Sequence, residues 1–480
     1  MSALTGHIPS RRRRTGMRAH GILGAALVSA ACANEPVSVD RPLAPAITAA
    51  TVEPNAYNVL STAVTVRAER ADSVKVRFHP AGAATADSVS PVAAVTRGAA
   101  TIVLLGLLPE QRYIVRPVVY GARMTVPGDS LELTTGALPA DLPRYVASGS
   151  DPSPGYVVFA AGRYGAVIDN TGRVVWYRNF PNGVGLSFMA QPTGRYVARP
   201  PTPDPADIEP WVEIDSTGNV TRTLSCAGGF APRLHDLILE SDGSYWLLCD
   251  ETRTMDLTAL GGVAAARVTG TVAQHVGAAG ALLFQWSPFD HFEITDLALA
   301  ERTGASVNWT HGNALDRDAD GNLLVSFRSL GEVTKINART GEVIWRMGGR
   351  RNQFAFLGTS MPPFARQHSV RAYAPGSLLL LDNLGDPAQS RAEHYVVDEA
   401  TRFARLERSY GATPGVVSEI GGSVQPLGGG RTLVSFGTAG RVEEYDAAGH
   451  VVWRIERNAG YVFRAQRIRS LYAPGVGTAR

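Results

Sequence analysis

A repeat that runs through most of this chain constrains its fold more than any other feature. Each unit begins with a glycine and an apolar strand, continues with a second strand, and ends with Asp or Asn, a turn and an apolar run. The end of the unit is clearest at residues 169–176, 337–345 and 446–453, and a fourth copy at 214–220 lacks the final tryptophan. Units of this size that each hold several strands are typical of β-propeller blades.

The front of the repeat occurs six times, each time at a glycine that marks the start of a unit. These marker glycines are Gly155, Gly194, Gly243, Gly321, Gly376 and Gly430. The intervals between them range from 39 to 78 residues, and the longest contains an insertion near residues 251–300. The chain has 50 Gly and 30 Pro, which suit short strands joined by turns. We therefore predict an all-β protein with a six-bladed β-propeller over residues 145–480.

Short alternating strands also precede the repeat. The run at residues 107–113 has the form Leu-x-Pro-x-x-x-Tyr and comes directly before the apolar segment 114–120. This arrangement is typical of the tyrosine corner of fibronectin type III sandwiches. We predict a fibronectin type III-like β-sandwich with a structural role over residues 47–140, after a Pro- and Ala-rich linker at 33–46.

Residues 1–32 have the features of an export signal. Arginines at 11–14 and at 18 precede an apolar run at 21–31 that is too short to span a bilayer. Cys32 would be lipidated if this is a lipoprotein signal, and plain cleavage near residues 31–33 is the alternative. Met17 is an alternative start to Met1. With either start and either type of signal, we predict an exported protein that is periplasmic or lipid-anchored in the cell envelope.

Removal of this signal changes how the charge and the cysteines are interpreted. It removes five arginines and no acid, which leaves 41 basic and 43 acidic side chains. Nothing in this balance points to nucleic acid or to an anionic membrane surface. Cys226 and Cys249 remain in an oxidising compartment, where they either form a disulfide or are two small buried apolar side chains.

Three histidines occupy equivalent positions in the repeat. His235 and His368 each lie eight residues before a marker glycine, and His311 lies ten residues before another. Because equivalent positions of different blades surround one axis, we expect these imidazoles to face one another across the central channel.

Reading forward from the markers predicts a second ring of residues in the channel. The positions seven residues after four of the markers are Asp250, Arg328, Asn383 and Gly437. Imidazoles, a guanidinium and an amide that converge on a cavity can form an oxyanion pocket. Three histidines can also hold zinc with one open position. A guanidinium close to the imidazoles would oppose a dication and favours an anion.

Several ordered motifs between residues 150 and 475 resemble one known family, the bacterial arylsulfate sulfotransferases. They are NWTHGN at 308–313, DGNLLVSFR at 320–328, TGEVIWRMGG at 340–349, Gln367-His368, Asp382-Asn383 and YVFRA at 461–465. The predicted sandwich before a six-bladed propeller agrees with this resemblance.

The resemblance implies transfer of a sulfuryl group from a phenolic sulfate to another phenol, outside the cytoplasm and without PAPS or any other cofactor. His368 matches the histidine that becomes covalently sulfated. His311, Asn313 and Arg328 match the group that holds the sulfuryl oxygens, and His235 matches a further histidine of that site. The implied partners are small aryl sulfates and phenols.

We expect Asn383 to bind substrate together with Asn313. A protonated His311 or His235 is expected to donate to the departing phenolate and later to deprotonate the acceptor. Two other functions compete with this interpretation. One is a non-catalytic propeller lipoprotein that binds ligands or proteins, and the other is a metal-dependent hydrolase built on the same three histidines.

Overall fold

The computed structural model describes residues 43–82, 86–204, 207–456 and 459–473. The described residues consist of β-strands, loops and six short 3-10 helices, with no α-helix, so the predicted all-β class is confirmed. The expected signal at 1–32, with Met17 and Cys32, and most of the expected linker at 33–46 lie outside the described residues. No helix in the described part of the chain is long and apolar enough to cross a membrane.

Two sheets form the N-terminal part of the described chain. Their strands are β1 (Ala46–Pro54), β2 (Ser61–Glu69), β3 (Ser73–Pro80), β4 (Ser88–Val89), β5 (Ala93–Ala94), β6 (Ala99–Leu105), β7 (Arg112–Gly121), β8 (Met124–Pro127) and β9 (Leu131–Thr134). Strands β1, β2 and β6 form one sheet and the other six form the second. Alternate side chains of β2 and β3, such as Val64 and Val76, are buried in the core between the sheets. The Tyr113 hydroxyl accepts a hydrogen bond from the Leu108 amide at 2.9 Å, the contact that the predicted tyrosine corner requires.

The remaining strands form six sheets of four or five strands on their main paths. In chain order the first are β10 (Ala147–Ser148), β11 (Tyr156–Ala161), β12 (Tyr164–Ile168), β13 (Val174–Asn179), β14 (Phe188–Ala190), β15 (Tyr196–Ala198), β16 (Trp211–Ile214), β17 (Val220–Leu224), β18 (Ala231–Leu239), β19 (Tyr245–Met255), β20 (Ala266–Val276), β21 (Leu282–Trp286) and β22 (Ser306–Asn308). The rest are β23 (Gly312–Arg317), β24 (Leu323–Phe327), β25 (Glu332–Ile336), β26 (Val343–Gly348), β27 (Ala355–Leu357), β28 (His368–Ala374), β29 (Ser377–Asp382), β30 (Arg391–Asp398), β31 (Phe403–Gly411), β32 (Ser423–Pro426), β33 (Thr432–Ser435), β34 (Val442–Tyr445), β35 (Val451–Ile455) and β36 (Ala465–Ile468). The 3-10 helices cover Ala227–Gly229, Thr258–Leu260, Pro288–Asp290, Ile294–Asp296, Leu299–Glu301 and Gly428–Gly430.

Four of these sheets are antiparallel meanders of consecutive strands: β14 to β17, β18 to β21, β23 to β26 and β28 to β31. The other two are completed by the ends of the chain. Strand β36 pairs with β11 and so completes the first sheet, β36-β11-β12-β13. Strand β10 pairs with β35 and so completes the last sheet, β32-β33-β34-β35-β10. The two ends of this region are therefore held together by backbone hydrogen bonds.

The repeated sequence motif corresponds to the turn between the two outer strands of a sheet. Asp169 accepts hydrogen bonds from the Thr171 and Arg173 amides, and Gly172 has a φ of 91°, which favours glycine. The tryptophans that end the motif are buried, and two of the three, Trp176 and Trp453, donate a hydrogen bond to the turn of the next sheet. Trp453 of the last sheet donates to the Asn170 carbonyl of the first sheet at 2.9 Å.

The first strands of successive sheets are connected by side chains that hydrogen-bond to the neighbouring main chain. The pairs are Gln466 with Ala190, Gln191 with Leu237 and Leu239, Asp236 with Leu315, Asp316 with Ala372, Ser369 with Val424, and Gln425 with Arg467. They connect β36, β14, β18, β23, β28 and β32 in that order, and the last pair returns to β36. These six strands, called the inner strands below, carry the candidate site.

Cys226 and Cys249 form a disulfide that joins the loop after β17 to strand β19. The sequence left open whether these cysteines form a disulfide or are two small buried apolar side chains, and the structure contains the disulfide.

Candidate anion-binding site at the histidine end of the inner strands

The structure brings the three predicted histidines together. His235 lies in β18, His368 begins β28, and His311 directly precedes β23. The ring centroids of His235 and His311 are 5.2 Å apart. The Phe463 ring lies 5.6 Å from His235 and 6.1 Å from His368, so it forms an apolar wall between them. We call this group of three imidazoles and Phe463 the histidine site.

The hydrogen bonds of His368 place the proton of the neutral ring on Nδ1 and leave a lone pair on Nε2. Its Nδ1 lies 2.8 Å from Asn383 Oδ1 and 3.1 Å from the Arg366 carbonyl oxygen, so Nδ1 donates a proton to these acceptors. Its Nε2 accepts from the Gly421 amide at 3.3 Å. Burial, and secondarily the charge of Arg328, lower the pKa of His368 to about 4 although the Asn383 hydrogen bond opposes this. His368 is therefore neutral near pH 7 and carries a nucleophilic nitrogen.

Asn383 hydrogen-bonds to His368 and to the main chain, and its predicted substrate-binding role stays a prediction. Its Oδ1 accepts from His368, and its Nδ2 donates to the carbonyls of Ser418 at 2.8 Å and Gly421 at 2.9 Å. Because both ends of this fully buried amide are already bonded, Asn383 fixes the orientation and tautomer of the imidazole.

Asn313 is also buried, and its Nδ2 donates to the Gln367 carbonyl at 2.8 Å. This hydrogen bond positions the main chain next to His368. The Asn313 Oδ1 has no hydrogen-bond partner among the described residues. Its predicted contact with sulfuryl oxygens stays a prediction.

His311 presents an N–H to the site. Its Nδ1 accepts from the Asn308 amide nitrogen at 2.7 Å, so the proton of the neutral ring is on Nε2. Burial and the nearby charges of Arg233 and Arg328 lower the pKa of His311 to about 2. Burial and Arg233 also hold the pKa of His235 well below its usual value. Burial first, and the charge of Arg233 second, therefore keep both imidazoles neutral in the free protein near pH 7. Proton donation by either ring during the reaction stays a prediction.

Three arginines, Arg233, Arg328 and Arg366, place positive charge near the His311 ring, and two of them have carboxylate partners. Arg233 pairs with Asp250. Arg366 makes a two-pronged ion pair with Glu301, at 2.6 and 3.0 Å. The half-buried Arg328 guanidinium makes one hydrogen bond among the described residues, to the Glu419 carbonyl oxygen at 3.4 Å, and no ion pair. The cluster therefore has one positive charge that no carboxylate pairs with, which is the requirement for binding a monoanion.

The backbone is strained around this cluster. His311, Arg366 and Ser369 have φ values of 47°, 55° and 58°, in the left-handed region that residues with a Cβ rarely adopt. Strain of this kind costs about 1–3 kcal/mol per residue and is concentrated at functional sites.

Sequence reasoning assigned no role to several residues that shape the site, which are Arg233, Asn308, Arg366, Gly421 and Phe463, although Asn308 and Phe463 lie within the motifs at 308–313 and 461–465. Arg233 and Arg366 each lie two residues before a predicted histidine, so the spacing from His235 and His368 was the available signal. Glu301 lies in the 3-10 helix Leu299–Glu301 between β21 and β22, and no motif indicated its role. Among the described residues, no three His, Cys, Asp or Glu side chains are placed to hold a metal ion together.

The other end of the inner strands also contains buried charges, but there they are paired. Asp236 accepts from Arg371 at 2.9 Å and from the Leu315 amide at 3.1 Å, and Arg464 lies 3.3 Å away. Asp316 accepts from the Ala372 amide at 2.9 Å. Burial raises the pKa of both Asp236 and Asp316. We call these four side chains the ionic plug, and they line a cavity of about 710 Å³ at that end.

A family model described as arylsulfotransferase (ASST) matches residues 218–458, which is half of the chain. This chain belongs to the arylsulfotransferase family. The matched segment contains His235, His311 and His368, and also Arg328 and Asn383. Membership in the arylsulfotransferase family makes the protein a sulfotransferase in general terms and implies aryl sulfates and phenols as substrates.

Solved structures with similarity to this chain are distant. A Bacteroides caccae protein of unknown function is 16% identical, with a TM-score of 0.43, and the match covers 66% of this chain and 100% of that one. A streptogramin B lyase is 10% identical, with a TM-score of 0.37, covering 65% and 87%. A Staphylococcus aureus virginiamycin B lyase is 12% identical, with a TM-score of 0.34, covering 73% and 93%. These similarities carry no inference about function. No curated protein matches the chain.

Proposed function

We propose that this protein transfers a sulfuryl group from an aryl sulfate to a phenol through a covalent sulfohistidine at His368, without PAPS. The observation that carries this proposal is the neutral His368 Nε2 beside one guanidinium, Arg328, that lacks a carboxylate. An aryl sulfate is a monoanion, so it matches the surplus charge of the site. Membership in the arylsulfotransferase family supports the same reaction class.

We further infer that the six sheets are the blades of a six-bladed β-propeller over residues 145–480. The cyclic order of the inner strands, and the completion of the first and last sheets by β36 and β10, support this architecture. We also infer a fibronectin type III-like sandwich over residues 47–140, which the Tyr113 hydrogen bond to Leu108 supports.

In the first half-reaction, the lone pair of His368 Nε2 attacks sulfur. The N–S bond forms as the S–O bond to the donor phenol breaks, and its electron pair leaves with the phenolate. His368 keeps its proton on Nδ1, bonded to Asn383, so the product is an N-sulfonated imidazolium whose positive charge weakens the N–S bond. The Gly421 amide has to move away from Nε2 before sulfur can reach it.

The surrounding groups stabilise charge as sulfur is transferred. Sulfuryl transfer resembles phosphoryl transfer, in which positioning and electrostatic stabilisation supply most of the rate. Arg328 binds the sulfuryl oxygens, and the Nε2 proton of neutral His311 donates a hydrogen bond to the phenolate oxygen. The phenolate then takes a proton from water at the mouth of the site.

In the second half-reaction, an acceptor phenol loses its proton to water and its oxygen attacks the same sulfur. The electron pair of the N–S bond returns to Nε2, which restores neutral His368. Because donor and acceptor react in turn at one histidine, no nucleotide is required, and the reaction can proceed outside the cytoplasm. We propose that the protein is exported, either to the periplasm or to the cell envelope through a lipidated Cys32, and the Cys226–Cys249 disulfide supports an oxidising compartment.

The decisive experiment mixes the protein with para-nitrophenyl sulfate and measures nitrophenol release on the millisecond scale, with and without added phenol. We expect one equivalent of nitrophenol in a burst, followed by turnover that depends on phenol. Mass spectrometry of the burst product should locate one SO₃ group on the peptide that contains His368.

The control is the variant without the nucleophile. His368→Ala should show neither burst nor adduct while it keeps the wild-type circular dichroism spectrum. Full turnover by that variant would refute the nucleophile, and binding of aryl sulfates without release of phenol would favour a non-catalytic binding protein.

A further inference from the structure

A groove of about 250 Å³ adjoins the histidine site and shares two of its cations. Arg328, Arg350 and Arg366 line it, together with the buried carboxylate of Asp296. Between these cations the lining includes Leu330 and Phe364, which are buried and apolar. The groove is therefore large enough for a single aromatic ring. Its three arginines exceed its one carboxylate, and Asp296 is already paired with Arg346 and Arg351, which lie outside the lining.

The wall that carries Arg350 is tightly fitted. Gly348 and Gly349 have φ values of 81° and 63°. A Cβ on Gly348 would lie 2.6 Å from the Gly331 carbonyl oxygen and 2.8 Å from the Phe364 ring, and one on Gly349 would lie 2.5 Å from the Leu330 carbonyl oxygen. Only glycines allow this turn to pack against the floor of the groove, so the position at which the Arg350 backbone leaves β26 is fixed.

Arg350 and its neighbour Arg351 have different surroundings. Arg351 pairs with Asp296 at 2.6 Å, and Asp296 also pairs with Arg346 at 2.9 Å. Arg350 is exposed, and within the described ranges it makes no ion pair or hydrogen bond. It is therefore a second cation in this region, besides Arg328, whose charge the protein leaves unpaired.

We propose that this groove selects phenolic substrates that bear a second anionic group, such as a ring carboxylate, and that Arg350 binds that group. The inference rests on the sulfotransferase function proposed above. The sulfate or phenolic oxygen lies at Arg328 and the histidine site, the ring lies over Leu330 and Phe364, and the second anion meets Arg350. Donor and acceptor use the groove in turn, so both benefit from the same charge complementarity.

The test compares para-hydroxybenzoate with its methyl ester as sulfuryl acceptors, since the two share a ring and differ in charge. The variants are Arg350→Gln and a matched control, Arg339→Gln. Arg339 is exposed and lies in the turn before β26, whereas Arg350 follows the other end of the same strand. We expect the wild type to prefer the carboxylate in kcat/KM, and Arg350→Gln to lose about threefold to fivefold for the carboxylate alone, as befits a solvent-accessible ion pair. Arg339→Gln should retain the wild-type ratio.

Equilibrium binding of the same two compounds, followed by calorimetry, provides a readout that does not need turnover. Weaker binding of para-hydroxybenzoate to Arg350→Gln, with no change for the ester, supports the groove even if no sulfuryl transfer is detected and the proposed reaction fails. A carboxylate-to-ester ratio that is the same in the wild type and Arg350→Gln, in both kinetics and binding, overturns the inference while leaving the transfer reaction intact.

Discussion

The two ends of the inner strands both bury charged side chains, but they differ in how those charges are balanced. In the ionic plug, two carboxylates, Asp236 and Asp316, lie among two guanidiniums, Arg371 and Arg464. At the histidine site, three guanidiniums have two carboxylate partners, and Arg328 is left over. The difference teaches that buried charge alone does not identify a functional site, because a balanced cluster holds strands together whereas an unbalanced one attracts a counter-ion.

The hydrogen bonds at the two ends support this contrast. Asp236 and Asp316 accept from the main chain of adjacent inner strands, so the ionic plug connects β18, β23 and β28. At the histidine site, Asn383 and Asn308 each bond to an imidazole and set its tautomer. The plug therefore serves the fold, and the histidine site presents a nucleophile and a donor.

The largest effect should come from breaking the plug with Arg371→Met. Removal of this guanidinium leaves Asp236 and Asp316 buried with one cation between them, which should lower the free energy of unfolding by about 3–5 kcal/mol. Urea denaturation followed by tryptophan fluorescence measures the loss. Because Arg371 contacts no residue of the histidine site in the hydrogen bonds described, the fraction that remains folded should keep the wild-type kcat. An unchanged denaturation midpoint would show that the plug does not stabilise the fold.

The matched substitution at the other end, Arg328→Met, should have the opposite signature. It removes the unpaired cation that stabilises the transferring sulfuryl group, so kcat/KM for para-nitrophenyl sulfate should fall about 10²- to 10³-fold. The free energy of unfolding should change by less than about 0.5 kcal/mol, because no carboxylate loses its partner. Stopped-flow kinetics and urea denaturation of the same sample separate the two quantities. A large loss of stability with normal kcat/KM would reverse our assignment of the two ends.

The smallest effect concerns pH. Protonation of His368 abolishes the nucleophile, and because its pKa is lowered to about 4, kcat/KM should stay level as pH falls from 7 to about 5 and decline only near pH 4. An ordinary histidine, with a pKa of about 6.5, would already have lost most of its activity by pH 5. Tryptophan fluorescence recorded at each pH verifies that the fold persists. A decline centred near pH 6.5 would mean that the site is less desolvated than its burial indicates.

Much of the fold could be predicted from sequence because the repeat is local. The spacing of Gly, the strand pattern and the Asp-Gly turns are properties of neighbouring residues, and the structure has six sheets where the sequence has six marker glycines. The same spacing predicted that His235, His311 and His368 begin equivalent inner strands. In the structure His368 begins β28, His311 directly precedes β23, and His235 lies in the middle of β18. The insertion near 251–300 and the residues directly after it follow no repeat, and the sequence therefore did not indicate that Glu301 pairs with Arg366.

The sequence by itself determined the all-β class, the number of repeated units and the alignment of three histidines, since each follows from periodicity along the chain. Only the tertiary structure decided which cation has no carboxylate partner, which nitrogen of His368 carries the proton, and that Asn383 hydrogen-bonds to the imidazole. Those properties depend on partners such as Asp250, Glu301 and Gly421, whose distances from the histidines are set by packing between sheets. The net charge of the site and the protonation of its histidines depend on all neighbours in space. The spacing of residues along the chain does not encode those neighbours.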